Sequence, residues 1–209
     1  MKVVPFLYND KDELISNCYL AIDNNSSCVI IDPSCDYDGV INYITKNHLA
    51  CQGILLTHSH FDHMRGIDRT VKALNVPLFV SFGDEDGLTD TRLNCSSMCN
   101  CEIVIQTKPV LVSDQEVLEL LEEPIQVIST PFHTKGSVCY YIAKSNLLFS
   151  GDTLFRGFIG RSDLPSSIGR EIKPSLSKLF VLPDETKVFP GHGLTTTIGF
   201  ERKLNPFIK

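Results

Sequence analysis

Short apolar runs bounded by turn residues recur along the chain, at 3–8, 18–23, 27–32, 51–56, 77–81, 125–129, 138–143, 146–150 and 187–190. Their lengths and β-branched content predict strands. Helical spacing appears between them. Over 36–47 (DYDGVINYITKN), Val40, Ile41 and Ile44 fall on one face, and Asp36 stands where a capping residue belongs. Over 64–74, Ile67, Val71 and Leu74 share a face, as do Ile172, Leu176, Leu179 and Phe180 over 170–181. This order of elements predicts a mixed α/β fold with two sheets face to face and helices outside them. Residues 82–116 follow neither period and bring Gly83, Asp84, Asp86, Gly87, Asp90 and Asn94 close together. So long an irregular stretch predicts a functional or covering loop.

Composition narrows the setting. A chain of 209 residues with 43% hydrophobic and 21% charged positions suits one soluble domain over 1–209. No apolar run reaches the length needed to span a bilayer, so no membrane partner is expected. The opening MKVVPFLYND lacks the apolar core and cleavage site of a secretory signal, which points to a cytoplasmic address. A formal charge of −6 disfavours nucleic acid as a partner. The eight cysteines are scattered, and a reduced set is expected. Cys18, Cys28, Cys51 and Cys139 fall in strand-like runs, where a thiol acts as a small hydrophobe. Cys95, Cys99 and Cys101 form the one cluster with metal or redox potential, yet they lack CxxC spacing and a neighbouring histidine.

The histidines change the picture more. Five of the six stand in short motifs just after predicted strands, while His48 sits near a helix end and reads as structural. In THSHFDH (57–63), residues two apart in extended chain point the same way, so His58 and His60 can face one ion. The following turn can send Asp62 and His63 toward another. Three imidazoles and a carboxylate buried in one turn without a cation would leave several polar groups needing partners. His133 in TPFHTKGS, Asp152 in SGDT and His192 in FPGHG follow later strands and complete a candidate set of seven. Such donors suit zinc, and also iron or manganese.

THSHFDH, TPFHTKGS, SGDTLF and FPGHG, in that order, resemble the metallo-β-lactamase superfamily over nearly the whole chain. The resemblance implies a four-layer αβ/βα sandwich carrying two divalent ions, zinc first. It implies His58, His60 and His133 on one ion, Asp62, His63 and His192 on the other, and Asp152 between them. Asp62 and Asp152 are then also the catalytic candidates. GDTLF (151–155), GRSDLP (160–165), LNCS (93–96), TTTIG (195–199) and NPF (205–207) resemble the short members of the glyoxalase II group. A C-terminal helical domain that helps bind glutathione in full-length members is expected to be absent.

The expected activity is therefore thioester hydrolysis, with S-lactoylglutathione as the model substrate and a hydroxide held between two ions as nucleophile. Arg161 is either an anchor for a substrate carboxylate or a partner of Asp163, and Lys135 is a second possible anchor. The rivals are an iron-dependent persulfide dioxygenase, a lactonase and a non-catalytic metal-binding protein.

Overall fold

A computed structural model describes residues 1–6, 16–34, 37–99 and 101–208. In chain order the elements are β1 Lys2–Phe6, β2 Cys18–Ile22, β3 Ser27–Ile31, α1 Tyr37–Lys46, β4 Ala50–Leu55, α2 Phe61–Met64, α3 Ile67–Leu74 and β5 Leu78–Ser81. There follow β6 Val110–Val112, β7 Val117–Leu118, β8 Ile125–Ser129, β9 Val138–Ile142, β10 Leu147–Gly151, β11 Leu154–Phe155 and β12 Phe158–Ile159. The chain closes with α4 Ile172–Leu179, β13 Lys187–Pro190, β14 Thr196–Thr197 and α5 Ile198–Leu204. The expected cap Asp36, the thiol of Cys35 and the end of the run 3–8 lie outside the described residues.

Two six-stranded sheets form, in the orders β1-β2-β3-β4-β5-β6 and β14-β13-β10-β9-β8-β7, with β11 and β12 as a separate hairpin. Strand alternation then sorts the side chains into three apolar layers. Leu20, Ile30, Ile54 and Leu78 point outward under Val40 and Ile44 of α1 and Ile67 of α3. Their neighbours Tyr19, Ala21, Val29, Ile31 and Leu55 point inward against Ile125, Val127, Tyr140, Phe149 and Phe189 of the second sheet. On the far side, Ile128, Cys139, Leu148 and Val188 are covered by Leu176 and Leu179 of α4 and Ile198 of α5. The result is the expected αβ/βα sandwich, and fully apolar strands are its signature because both faces of each sheet are covered.

The sheets are also joined along one edge by polar bonds. Val138 N donates to Thr57 O at 2.9 Å. The Tyr140 hydroxyl donates to Leu56 O at 2.9 Å and the Tyr19 hydroxyl to Pro190 O at 2.8 Å. That edge is where β4, β10 and β13 end.

The irregular stretch 82–116 contains two 3-10 turns, Phe82–Leu88 and Ser96–Cys99, and the short edge strand β6. The helix expected over 64–74 is divided, because Arg65 and Gly66 separate α2 from α3. Cys28, Cys51, Cys95, Cys99, Cys101 and Cys139 are present as thiols. No helix among the described residues is long and apolar enough to cross a membrane.

Candidate metal centre

The four residues of the first motif are delivered by the exit from β4. The chain bends at Thr57, His60 is extended at φ −70° and ψ 144°, and the chain then turns into α2, whose first turn carries Asp62 and His63. His133 comes from the loop between β8 and β9, Asp152 from the turn after β10, and His192 from the turn after β13. His58, His60, Asp62, His63 and His133 are buried, while the side chains of Asp152 and His192 are 11% and 29% exposed.

The seven side chains converge. Candidate ligand atoms of His58, His60 and His133 all lie within 4.8 Å of one another, as do those of His58, His63 and Asp152, and those of Asp62, His63 and His192. His60 Nδ1 and His133 Nε2 face each other at 2.9 Å. One oxygen of Asp152 lies 3.3 Å from His63 Nε2, and the other lies 3.4 Å from His133 Nε2 and 3.5 Å from His192 Nε2. His192 Nε2 is also 3.2 Å from Asp62 Oδ2.

Outer partners assign the tautomers through the hydrogen bonds they make. Asp32 accepts from Thr57 N at 2.8 Å, from the Thr57 hydroxyl at 2.7 Å and from His63 Nδ1 at 2.9 Å. The single hydroxyl proton of Thr57 is thereby used, so His58 Nδ1, 3.1 Å away, donates to that oxygen. His133 Nδ1 donates to Arg161 O at 2.8 Å, which leaves its Nε2 as an acceptor toward His60. Among the described residues, Nε2 of His58, His60 and His63 and Oδ1 of Asp152 are buried with no hydrogen-bond partner. Buried polar atoms without partners cost free energy. A divalent cation fits this donor set of nitrogens and carboxylate oxygens.

The electrostatics agree. Burial holds His58 well below the ordinary imidazole range and pushes His60 down to about 3, with neighbouring imidazoles adding to the effect. Burial opposes ionisation of Asp152, but His63, His192 and His133 outweigh it and hold the carboxyl well below its usual range. Burial likewise disfavours charge on His63, yet Asp62, Asp152 and Asp32 together raise its pKa. His58 and His60 therefore offer unprotonated nitrogens beside ionised carboxylates.

Two glycines make the crowding possible. A Cβ on Gly191 would strike Asp152 Oδ1 and approach His63 Cε1 to 2.6 Å. Gly151 has φ +48°, and a Cβ there would strike the Thr57 hydroxyl.

Two supporting carboxylates escaped the sequence reading. Asp32 follows the buried strand β3 at φ 50°, and an acidic residue directly after an apolar strand was the available signal. Asp84, in the irregular stretch, accepts from Ser59 N at 2.7 Å, Thr134 Oγ1 at 2.8 Å and Gly136 N at 2.9 Å. It ties the loop of His58 and His60 to the loop of His133, a role that its place in the expected functional or covering loop did not specify.

A cavity of about 460 Å³ opens beside the cluster, lined by His60, Asp62, His133, Asp152 and His192 on one side. Phe61, Cys95, Met98, Cys99, Phe155, Arg161 and Leu164 form the rest of its wall. Arg161 makes a bidentate pair with Asp163, at 2.7 and 2.8 Å. Lys135 is not among the lining residues and pairs with Asp86 at 2.8 Å. His48 is exposed, at φ 52° just after α1.

The model of the metallo-β-lactamase superfamily matches residues 12–192. The chain belongs to that superfamily. Within the superfamily it is 34% identical over 196 residues to the probable metallo-hydrolase YqgX of Bacillus subtilis, covering 92% of each chain. It is 29% identical to the hydroxyacylglutathione hydrolase GloC of Haemophilus influenzae, again over 92% of each. Among solved structures, the BLEG-1 B3 metallo-β-lactamase superposes with TM-score 0.91 at 32% identity, covering 99% of each chain. TTHA1623, solved in a di-iron-bound form, superposes with TM-score 0.83 at 33% identity, covering 92% of this chain and 94% of that one. The chain is thus a metal-binding hydrolase of this superfamily.

Proposed function

We propose that this hydrolase cleaves thioesters, with S-lactoylglutathione as the reference substrate and two divalent ions at the centre. The observation that carries the reading is the convergence of seven donors into neighbouring groups, with buried atoms that lack partners. The likeness to GloC supports the choice of thioester. His58, His60 and His133 would hold one ion and Asp62, His63 and His192 the other, with Asp152 reaching toward both. Bound there, such ions act as Lewis acids on a carbonyl and lower the pKa of water from roughly 16 to about 7. Zinc suits the donors, and iron or manganese does as well.

The chain's own residues do the rest. Asp32 fixes His63, and Arg161 O fixes His133, so the donor atoms do not have to be reoriented. Phe61, Phe155 and Leu164 give the cavity beside the cluster an apolar face. Hydrolysis forms a carbon–oxygen bond from water and breaks the carbon–sulfur bond. One water proton ends on the departing thiolate. A thiol of pKa about 8.5 leaves without a strong general acid.

The test loads purified protein with zinc, iron or manganese, measures metal content, and follows thiol release from S-lactoylglutathione. Release in the loaded protein, with a loss of at least about a hundredfold in His60→Ala, is the expected result. Full metal content with no thiol release from any thioester overturns it. One iron per chain with oxygen uptake on a glutathione persulfide would instead establish the dioxygenase rival.

A further inference from the structure

One wall of the cavity takes no part in holding ions. Phe61, Cys95, Met98, Cys99, Phe155 and Leu164 form it, contributed by α2, by the 3-10 turn Ser96–Cys99 with the residue before it, by β11 and by the loop after β12. Met98 is 65% exposed, and its flexible thioether can mould to a ligand. Cys95 is buried and serves as a small hydrophobe. Its backbone stands at φ 64°, directly before the 3-10 turn Ser96–Cys99. Among the described residues that line the cavity Arg161 is the one lysine or arginine, and its Nε and Nη2 donate to Asp163.

Building on the thioesterase reading, we infer that this wall is the acyl subsite and that it selects an unbranched apolar acyl chain over the hydroxylated lactoyl group. An alkyl chain lying along Phe61, Met98 and Leu164 loses contact with water at every carbon. A hydroxyl at the same place meets ring carbons, a thioether and a methyl group. It would give up its water without gaining a partner. The carbonyl end of the chain would then lie at His60, His133 and Asp152, which line the same cavity.

The experiment compares kcat/KM of the metal-loaded full chain on S-acetyl-, S-lactoyl- and S-hexanoylglutathione, so that only the acyl group varies. Hexanoyl is expected to exceed lactoyl by at least about tenfold. Met98→Glu and Leu164→Glu are each expected to lower the hexanoyl-to-acetyl ratio by about tenfold. The ratio is taken within one protein, so a partly misfolded variant still reports it. Lactoyl turned over as well as hexanoyl, or a ratio unmoved in both variants, overturns the inference. If no thioester is cleaved, the thioesterase reading falls by itself. Calorimetry with S-hexylglutathione and S-methylglutathione then decides the subsite: tenfold tighter hexyl binding keeps it, and equal affinity removes it.

Discussion

At Asp32 one carboxylate serves three donors, two on Thr57 and one on His63. Asp32→Ala leaves each of them buried and unmet, at about 1–3 kcal/mol apiece, so a loss of several kcal/mol is expected in urea denaturation. Competition with a chromophoric chelator should show metal affinity down about 10–100-fold, because His63 loses its orientation. Gly191→Ala acts differently. Its methyl group would enter the space of Asp152 and His63, so the expected outcome is a folded protein, by circular dichroism, that retains less metal than the parent. At this scale the centre was legible wherever donors crowd together, as in THSHFDH. Asp32 and Asp84 were not, because a buried carboxylate that accepts from backbone and hydroxyl groups has no pattern until the fold brings its donors to it.

Among the elements, the longer strands were readable because covered sheets need unbroken apolar runs. β7, β11, β12 and β14 contain two residues each, too few to show a period. α5 was hidden for a different reason. Thr197 caps it and the buried Glu201 accepts from Thr196, Gly157 and Asn205, so polar side chains occupy part of its inner face. At the division between α2 and α3, Gly66 N donates to Pro33 O at 2.7 Å. Tyr140 of β9 shows how one element steadies another, through its bond to Leu56 at the exit of β4. Tyr140→Phe leaves that carbonyl buried without a partner, and a drop of about 1–3 kcal/mol in unfolding free energy is expected. An unchanged denaturation midpoint would show that the bond contributes nothing.

For the molecule as a whole, a net charge of −6 conceals a locally crowded set of Asp32, Asp62 and Asp152 within one centre. Ions bound there stabilise the folded state alone. At free metal about 1,000 times Kd the gain is about 4 kcal/mol, so chelator-treated protein should melt at a lower temperature and recover when zinc is returned. Identical melting with and without divalent ions would contradict the assignment of the centre. The fold class was legible in the order of the elements, and the acyl preference was not, since the apolar wall is assembled from segments far apart in the chain.

The three donor triplets share a division of labour. Each takes two members from the motif after β4 and one from the second half of the chain: His133, Asp152 or His192. Among the described residues, neither half of the polypeptide holds a complete triplet. A complete triplet therefore exists only where the two halves of the chain have packed together in register.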